Sequence, residues 1–155
     1  MAQDPVIYSS NLVPGIAVNS PILQTPTYTP KMVVLAAAKT LVVGDSGTTF
    51  LLNLAGGFTV TLPALTYGLF YRFIAKTAPS TSYLITSAAG DDIVGAVYSA
   101  SGGAEDTKTT LGDDNIVFVG GTAVLGDSAD VWCDGVGWYC RAYCAAAGGL
   151  TFTQT

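Results

Sequence analysis

The sequence predicts an all-β protein: a single antiparallel β-sandwich or jelly-roll-like domain that follows an extended, proline-rich N-terminal arm. Short segments alternate apolar and polar residues, and glycine-rich turns recur about every 8 to 12 residues. No segment has convincing helical periodicity, apart from a candidate turn at LAAAK. The 155 residues suffice for one sizeable core. We therefore expect an arm at 1–32, a domain at 33–148 and a C-terminal tail at 149–155.

The arm differs in composition from the rest of the chain. It holds five of the seven prolines: Pro5, Pro14, Pro21, Pro26 and Pro30. Proline at this density prevents a helix and disfavours a central strand. Disordered tails usually have few apolar groups, whereas this segment carries apolar side chains that we assign to an interface: Val6, Ile7, Tyr8, Leu12, Val13, Ile16, Ile22 and Leu23. We expect the arm to dock on a neighbouring subunit, with a free flexible tail as the alternative.

The domain consists of short strand-like segments separated by turns. In order, these segments are TTFLLNL, FTVTLP, LFYRFIAKT, YLITSA, DDIVGAVYSA, IVFVGG, TAVLG, ADVWCD and GWYCRAYC. The pattern is plainest in FTVTLP, where Phe58, Val60 and Leu62 alternate with threonines, as in a strand with one buried face.

The last two segments predict a β-hairpin whose register follows from its turn. The turn at 134–137, Asp-Gly-Val-Gly, places Cys133 opposite Trp138. The same register pairs Trp132 with Tyr139 and Asp130 with Arg141. One face of the hairpin then carries the core side chains Val131, Cys133, Trp138, Cys140, Ala142 and Cys144. The other face carries Trp132, Tyr139, Arg141 and Tyr143.

This second face has two interpretations. Tyr, Trp and Arg supply most of the binding energy at protein interfaces, but exposed aromatic rings also stack on sugars. The chain has few charged residues, and no acid lies among these rings. We therefore favour subunit contact, with glycan binding as the alternative.

The tetrapeptide GDSG at 44–47 surrounds the nucleophile in chymotrypsin-like serine proteases, which makes Ser46 a catalytic candidate. A serine hydroxyl needs a neighbouring base, usually histidine. The chain has no histidine, and its lysines show no recognisable dyad spacing to Ser46. Asp, Ser and Gly also favour turns. We therefore predict a turn here, no catalytic residue and no enzymatic activity.

Three cysteines near the end of the domain allow three interpretations. A structural zinc site usually needs four convergent ligands, whereas Cys140 and Cys144 lie about 13 Å apart along a strand. A disulfide between Cys133 and Cys140 is the second interpretation, and buried free thiols are the favoured one.

The carboxylate pairs Asp91-Asp92 and Asp113-Asp114 occur where turn chemistry favours Asp. Neither pair lies in a recognisable calcium loop. We expect solvated turn residues, with weak cation binding as the alternative, and we predict no metal and no cofactor.

The charge composition excludes several partners. The net charge is −5 and no cluster of Lys or Arg is present, so we expect no nucleic-acid binding. The longest apolar stretch, MVVLAAAKTLVV, is short and contains Lys39, and the N-terminus lacks the features of a secretory signal, so we expect no membrane partner. Only 11 % of the residues are charged, which favours a surface largely covered by copies of the chain or by a partner.

Several motifs occur in an order that resembles small β-domains of tailed-phage virion proteins. These motifs are DSGTTFLLNLAGGFTVTLP, GLFYRFIAKTAP, YLIT, GDDIVG and CDGVGWYC, and they span roughly Leu41 to Cys144. The resemblance implies that GDSGTTF is the turn that enters the first strand of a structural domain.

The resemblance also implies a virion structural protein, with two competing roles. The first is a capsid decoration, or cement, protein, which is often a trimer that binds between major capsid subunits on the outer surface of the head. The second is a head- or tail-fibre domain that recognises host surface glycans. The chain lacks a long repetitive shaft or coiled coil, which favours the cement role.

Overall fold

A computed structural model describes residues 31–88, 90–101, 107–108 and 113–154, with the backbone alone for 107–108. The arm residues assigned to an interface, Val6 to Leu23, lie outside the described residues.

The described residues form twelve strands and one 3-10 turn, Val43–Asp45. The strands are β1 Lys31–Leu35, β2 Lys39–Thr40, β3 Thr48–Leu52, β4 Thr59–Thr61, β5 Phe70–Ala75, β6 Tyr83–Thr86, β7 Ile93–Ser99, β8 Thr107–Lys108, β9 Asn115–Phe118, β10 Ser128–Cys133, β11 Trp138–Cys144 and β12 Leu150–Thr153. Sheet A has the order β1-β3-β5-β10-β11-β7-β8, and sheet B has the order β12-β9-β6-β4-β2. The two sheets pack face to face, which confirms the predicted all-β sandwich.

The strand pairing is mixed, whereas the sequence predicted antiparallel sheets. From β1 to β6 the chain alternates between the sheets, so that β1, β3 and β5 join sheet A while β2, β4 and β6 join sheet B. Each strand therefore runs parallel to the previous strand of its own sheet. Side chains alternate between faces in parallel and antiparallel strands alike. For this reason the apolar pattern did not distinguish the two arrangements.

The second half of the chain closes the sandwich. The hairpin β10–β11 lies between β5 and β7, antiparallel to β5 through β10 and parallel to β7 through β11. In sheet B, β9 pairs antiparallel with both β6 and β12. The predicted hairpin register is confirmed, since Cys133 lies opposite Trp138 and Trp132 lies opposite Tyr139.

The core lies between the sheets and contains many aromatic rings. Phe50 stacks on Phe73 with 5.7 Å between ring centroids, and Tyr71 contacts Trp138 at 6.2 Å. The side chains predicted for the core face of the hairpin are all buried: Val131, Cys133, Trp138, Cys140, Ala142 and Cys144. Burial of one large apolar side chain contributes roughly 1.5–3 kcal/mol, so this interior is a main source of stability.

The domain extends further at both ends than the sequence predicted. Lys31 and Met32, assigned to the arm, belong to β1. Within the predicted tail at 149–155, Leu150–Thr153 forms β12, whose apolar residues alternate with threonines. Such a short alternation was not recognised as a strand. Conversely, TAVLG forms a loop, and the N–H of Val124 in this loop donates to a carboxylate oxygen of Asp127.

One stability prediction concerns Thr48, which is fully buried in β3. Its Oγ1 has no hydrogen-bond partner among the described residues, and an unpaired buried hydroxyl costs about 1–3 kcal/mol. The change Thr48→Val keeps the shape and removes this group, so we expect the free energy of unfolding to rise by roughly 1 kcal/mol. Urea unfolding measures the change. The control is Thr49→Val, which alters the adjacent residue of β3 that points outward; a Thr48→Val variant less stable than wild type would contradict the prediction.

Candidate interaction surface

The outer face of sheet A carries the hairpin residues predicted for an interface, and neighbouring strands extend it. Successive side chains of a strand point to opposite faces, so the register arranges the outward side chains in three rows across the sheet. We call them the aromatic row, the charged row and the apolar row.

The aromatic row consists of Phe70, Trp132 and Tyr139. Phe70 lies opposite Trp132, and Trp132 lies opposite Tyr139. Their exposed fractions are 38, 36 and 38 %, respectively. Three adjacent, half-exposed rings offer a large contact area at little cost in side-chain entropy.

The hairpin turn fixes the position of Tyr139. The Tyr139 O–H donates to Asp134 Oδ2 at 2.9 Å, while Asp134 Oδ1 accepts the N–H groups of Val136 at 2.8 Å and Gly137 at 2.9 Å. These backbone donors, with the Tyr139 hydroxyl, hold the pKa of Asp134 below its usual value, and the hydrogen bond to the carboxylate raises the pKa of Tyr139. The outermost ring of the aromatic row is therefore held in one orientation.

The charged row consists of Arg72, Asp130 and Arg141, and Asp130 lies opposite both arginines. Arg72 Nε and Nη2 both donate to the Asp130 carboxylate, the second at 2.7 Å, and this interaction raises the pKa of Arg72. The sequence paired Asp130 with Arg141. The register is confirmed, but the ion pair forms with Arg72, whose planar fork reaches both carboxylate oxygens from β5. Arg141 is exposed and forms no ion pair within the described part of the chain, so its guanidinium is available to an external acceptor.

The apolar row crosses the far end of the same face. It runs through Val34, Leu51, Ile74, Ser128, Tyr143 and Tyr98. Tyr98 and Tyr143 stack with 5.4 Å between ring centroids and an interplanar angle of 23°. A groove of about 490 Å³ lies beside this pair, and Leu125 forms part of its wall. The three rows place aliphatic and aromatic side chains on both sides of a single line of charge.

The outer face of sheet B has the opposite character. Its central strands carry Thr61 and Thr86, which lie opposite each other. Thr86 Oγ1 donates to Asn115 Oδ1 at 2.7 Å, and Asn115 Nδ2 donates to the Thr153 carbonyl at 3.2 Å. Among the described residues, no large apolar side chain on the strands of sheet B is exposed. The exposed large apolar and aromatic side chains of the described strands therefore lie on sheet A, whereas the outward Leu84 and Val117 of sheet B are only half-exposed.

Ser46 lies in the predicted turn, but this turn leads into β3 because β1 and β2 precede it. The N–H of Phe70 donates to Ser46 Oγ at 3.1 Å, which ties the turn to β5. Burial alone would raise the pKa of Asp45, but the N–H of Val42 and the ammonium groups of Lys39 and Lys31 outweigh this effect and lower it. Ser46 thus accepts a structural hydrogen bond beside a carboxylate that two lysines neutralise.

Cys133, Cys140 and Cys144 are free thiols, and all three are buried. Burial raises the pKa of Cys140, first through loss of solvent and then through the charge of Asp130. No group of three or more metal-ligating residues is present in the described part of the chain. The favoured interpretation of the cysteines, buried free thiols, agrees with this arrangement.

Asp113 and Asp114 are buried, so the prediction that they are solvated turn residues was wrong. The backbone packs their loop against neighbouring strands: Ile93 N–H donates to the Asp113 carbonyl, and Ser87 N–H donates to the Asp114 carbonyl. Asn115 Nδ2 also donates to Asp114 Oδ1 at 2.7 Å. Asp91 and Asp92 are half-buried.

Comparison of the sequence with models of protein families and with curated proteins gives no match. Within the described ranges, no helix is long and apolar enough to cross a membrane.

Sequence reasoning found the hairpin side of the surface and missed the rest. Phe70, Arg72 and Ile74 occupy alternate positions of the segment LFYRFIAKT, so their common face was readable. Their proximity to the hairpin could not be predicted from the sequence, because it depends on pairing between β5 and β10, which are distant in sequence.

The charged row provides a matched pair of variants. Arg72→Gln removes a bidentate but partly exposed ion pair, so we expect a loss of stability of up to about 1 kcal/mol that shrinks in high salt. Arg141→Gln removes a cation without an intramolecular ion pair and should change stability by less than about 0.5 kcal/mol. Urea unfolding at low and high salt tests both. A larger loss for Arg141→Gln than for Arg72→Gln would contradict the assignment of Asp130 to Arg72.

Proposed function

We propose that the protein is a virion structural protein of a tailed bacteriophage, a cement protein that decorates the capsid. In this role it binds between major capsid subunits on the outer surface of the head and stabilises the shell. The observation that carries the proposal is the outer face of sheet A, where half-exposed rings and aliphatic side chains surround one line of charge. The ordered motifs that resemble phage virion domains support the same role.

The area of the outer face of sheet A favours an interface to which the arm also contributes. Six strand spacings of about 4.8 Å and five residues of about 3.3 Å give a face of roughly 500 Å². A stable interface covers about 800 Å² on each partner. Residues 1–30 precede β1, the edge strand of sheet A, so the chain enters the domain beside this face. Their apolar side chains supply the additional area.

The composition of the surface also favours a homo-oligomer, and we propose a trimer. Tyr98 and Tyr143 present a stacked pair, and Arg141 supplies a cation for a carboxylate or carbonyl group of the adjoining subunit. Aromatic and arginine side chains are enriched at the centres of such contacts. The solution mass of the purified chain measures the oligomer, and a strictly monomeric protein at high concentration would contradict this part of the proposal.

The second candidate is a head- or tail-fibre domain that binds host surface glycans. The exposed rings of Trp132 and Tyr139 favour it, because sugars stack on such rings. The hydrogen-bonding side chains that a sugar needs are sparse on this row, where Asp134 is already engaged by Tyr139 and the turn. The cement role therefore has the better support.

The experiment uses phage particles that lack the protein and adds back purified variants. Deletion of residues 2–30 and the change Tyr143→Ala should each weaken binding at least about tenfold, since loss of a central ring or an apolar arm costs about 1.4 kcal/mol or more. The control is Thr59→Ala on the outer face of sheet B, which should bind as wild type does. Decorated heads should withstand heating better than bare heads, and the contact should resist moderate salt because it is mostly apolar.

Binding of the arm deletion at wild-type occupancy would contradict the part of the proposal that places the arm in the interface. A different outcome would contradict the cement role itself. If soluble protein competes with phage for host cells, and if adding the protein to bare heads does not raise their resistance to heat, the glycan-binding role would be established instead.

A further inference from the structure

We propose that β1 is a site of strand addition, at which a second copy of the chain pairs its own β1 in the antiparallel direction about Val33. The pairing joins the A sheets of the two copies into one continuous sheet. The two copies are either free in solution or members of adjacent trimers, so the inference goes beyond the proposed function and does not depend on it.

The first argument is that one side of the β1 backbone has no partner. β1 pairs in parallel with β3, and the Asn53 N–H donates to the Leu35 carbonyl. Leu35 and the alternate residues before it therefore direct their N–H and C=O groups toward β3, while those of Met32 and Val34 point away from the sheet. No other strand in the described part of the chain pairs with β1. The backbone groups of Met32 and Val34 are thus open to an added strand.

The second argument is that β1 lacks the usual protection of an edge strand, which is a charged side chain, a proline, a bulge or a short length. It has five residues, it pairs residue for residue with β3, and its one charged residue, Lys31, stands at the first position. By contrast, the edge strands β2 and β8 have two residues each, and one of the two is a lysine. Met32 and Val34 are exposed, so a second strand can approach the open backbone groups.

The third argument is that the segment KMVVL is complementary to itself. When Val33 lies opposite Val33 of the second copy, Met32 lies opposite Val34 of that copy, and Val34 lies opposite its Met32. These are the residues with open backbone groups, so each of these pairs exchanges both of its hydrogen bonds. A contact in which the same residues meet each other in both directions has two-fold symmetry and closes on two copies. A second copy is therefore the occupant that this edge fits.

The side chains suit the same register on both faces of the sheet. On the outer face, each Met32 meets an exposed Val34. On the inner face, Val33 is half-buried and packs against the core, and its counterpart covers apolar surface that is still in water. The two Lys31 residues lie at opposite ends of the pair, about 13 Å apart along the strands, which exceeds the Debye length of about 8 Å at physiological salt. Charge repulsion therefore does not oppose the pairing.

The small area of the contact determines its strength. Five residues of about 3.3 Å give a contact about 17 Å long and one strand wide, far less than the roughly 800 Å² that each partner of a stable complex buries. We therefore expect the pairing when copies are concentrated or are held side by side. Because the added strand lies in the plane of sheet A, Trp132, Arg141 and Tyr143 on the outer face remain uncovered.

Disulfide formation in concentrated, purified protein tests the register. The Cα atoms of the two Val33 residues would lie about 4.5 Å apart, as in a non-hydrogen-bonded pair, whereas those of the two Met32 residues would lie about 8–9 Å apart. A disulfide needs a Cα separation below about 7 Å, so under mild oxidation Val33→Cys should give at least about fivefold more linked dimer than Met32→Cys. The native cysteines are buried, so the linked dimers report the introduced thiol.

Met32→Cys is a stringent control, because residue 32 is exposed and residue 33 is half-buried. Random collisions would therefore favour Met32→Cys. Equal yields, a higher yield for Met32→Cys, or no dimer from either variant would overturn the proposal. The last result is also the one expected if β1 pairs only with a strand of a different protein.

A second pair of variants tests the backbone contact in the Val33→Cys protein. Val34→Pro removes an N–H that points away from β3, a position in which an edge strand tolerates proline, and should lower the dimer yield at least about fivefold. Val34→Thr keeps the N–H and a β-branched side chain, and its yield should stay within about twofold. Urea unfolding checks that both variants are folded. An unchanged yield with Val34→Pro would overturn the proposal. Neither measurement uses phage particles, so failure of the β1 contact and failure of the capsid contact are separate results.

Discussion

The antiparallel pairing of β10 with β5 is the contact on which the rest of the structure depends. It joins the parallel series of β1, β3 and β5 to the terminal hairpin, across 58 positions between Arg72 and Asp130. One face of this ladder carries the ion pair, and the other presents Tyr71 and Val131 to the core. Because one register sets both faces, the arrangement of the core also determines which side chains meet on the surface.

The two outer faces show how one backbone pattern supports different surfaces. The central strands of both sheets bury every second residue, so the remaining positions are free to vary without cost to the core. On sheet B these positions are largely threonines, whose hydroxyl groups suit both strand geometry and solvent. On sheet A they are rings, aliphatic side chains and a few charges. When a partner removes the rings and aliphatic side chains from water, the free energy falls.

The predictability of each feature follows from the distance over which it is encoded. The hairpin register was predicted correctly because its turn residues and both strands lie within seventeen neighbouring positions, 128–144. The ion pair of Asp130 with Arg72, in place of Arg141, was not predicted, since no local signal brings β5 beside β10. Asp113 and Asp114 mark a second limit, because turn chemistry favours Asp but does not reveal what the turn packs against. Parallel pairing was hidden because the alternation of side chains is the same in both directions.

The alternation of β1 to β6 between the sheets has a mechanical consequence. Each of the five connections in this series passes from one sheet to the other, so the backbone links the two sheets covalently at five places. In a sandwich built from hairpins within each sheet, fewer connections cross between the layers, and apolar contacts carry more of a separating force. Here the backbone connections bear part of the separating force along one half of the domain. The two sheets therefore resist separation even where solvent reaches their edges.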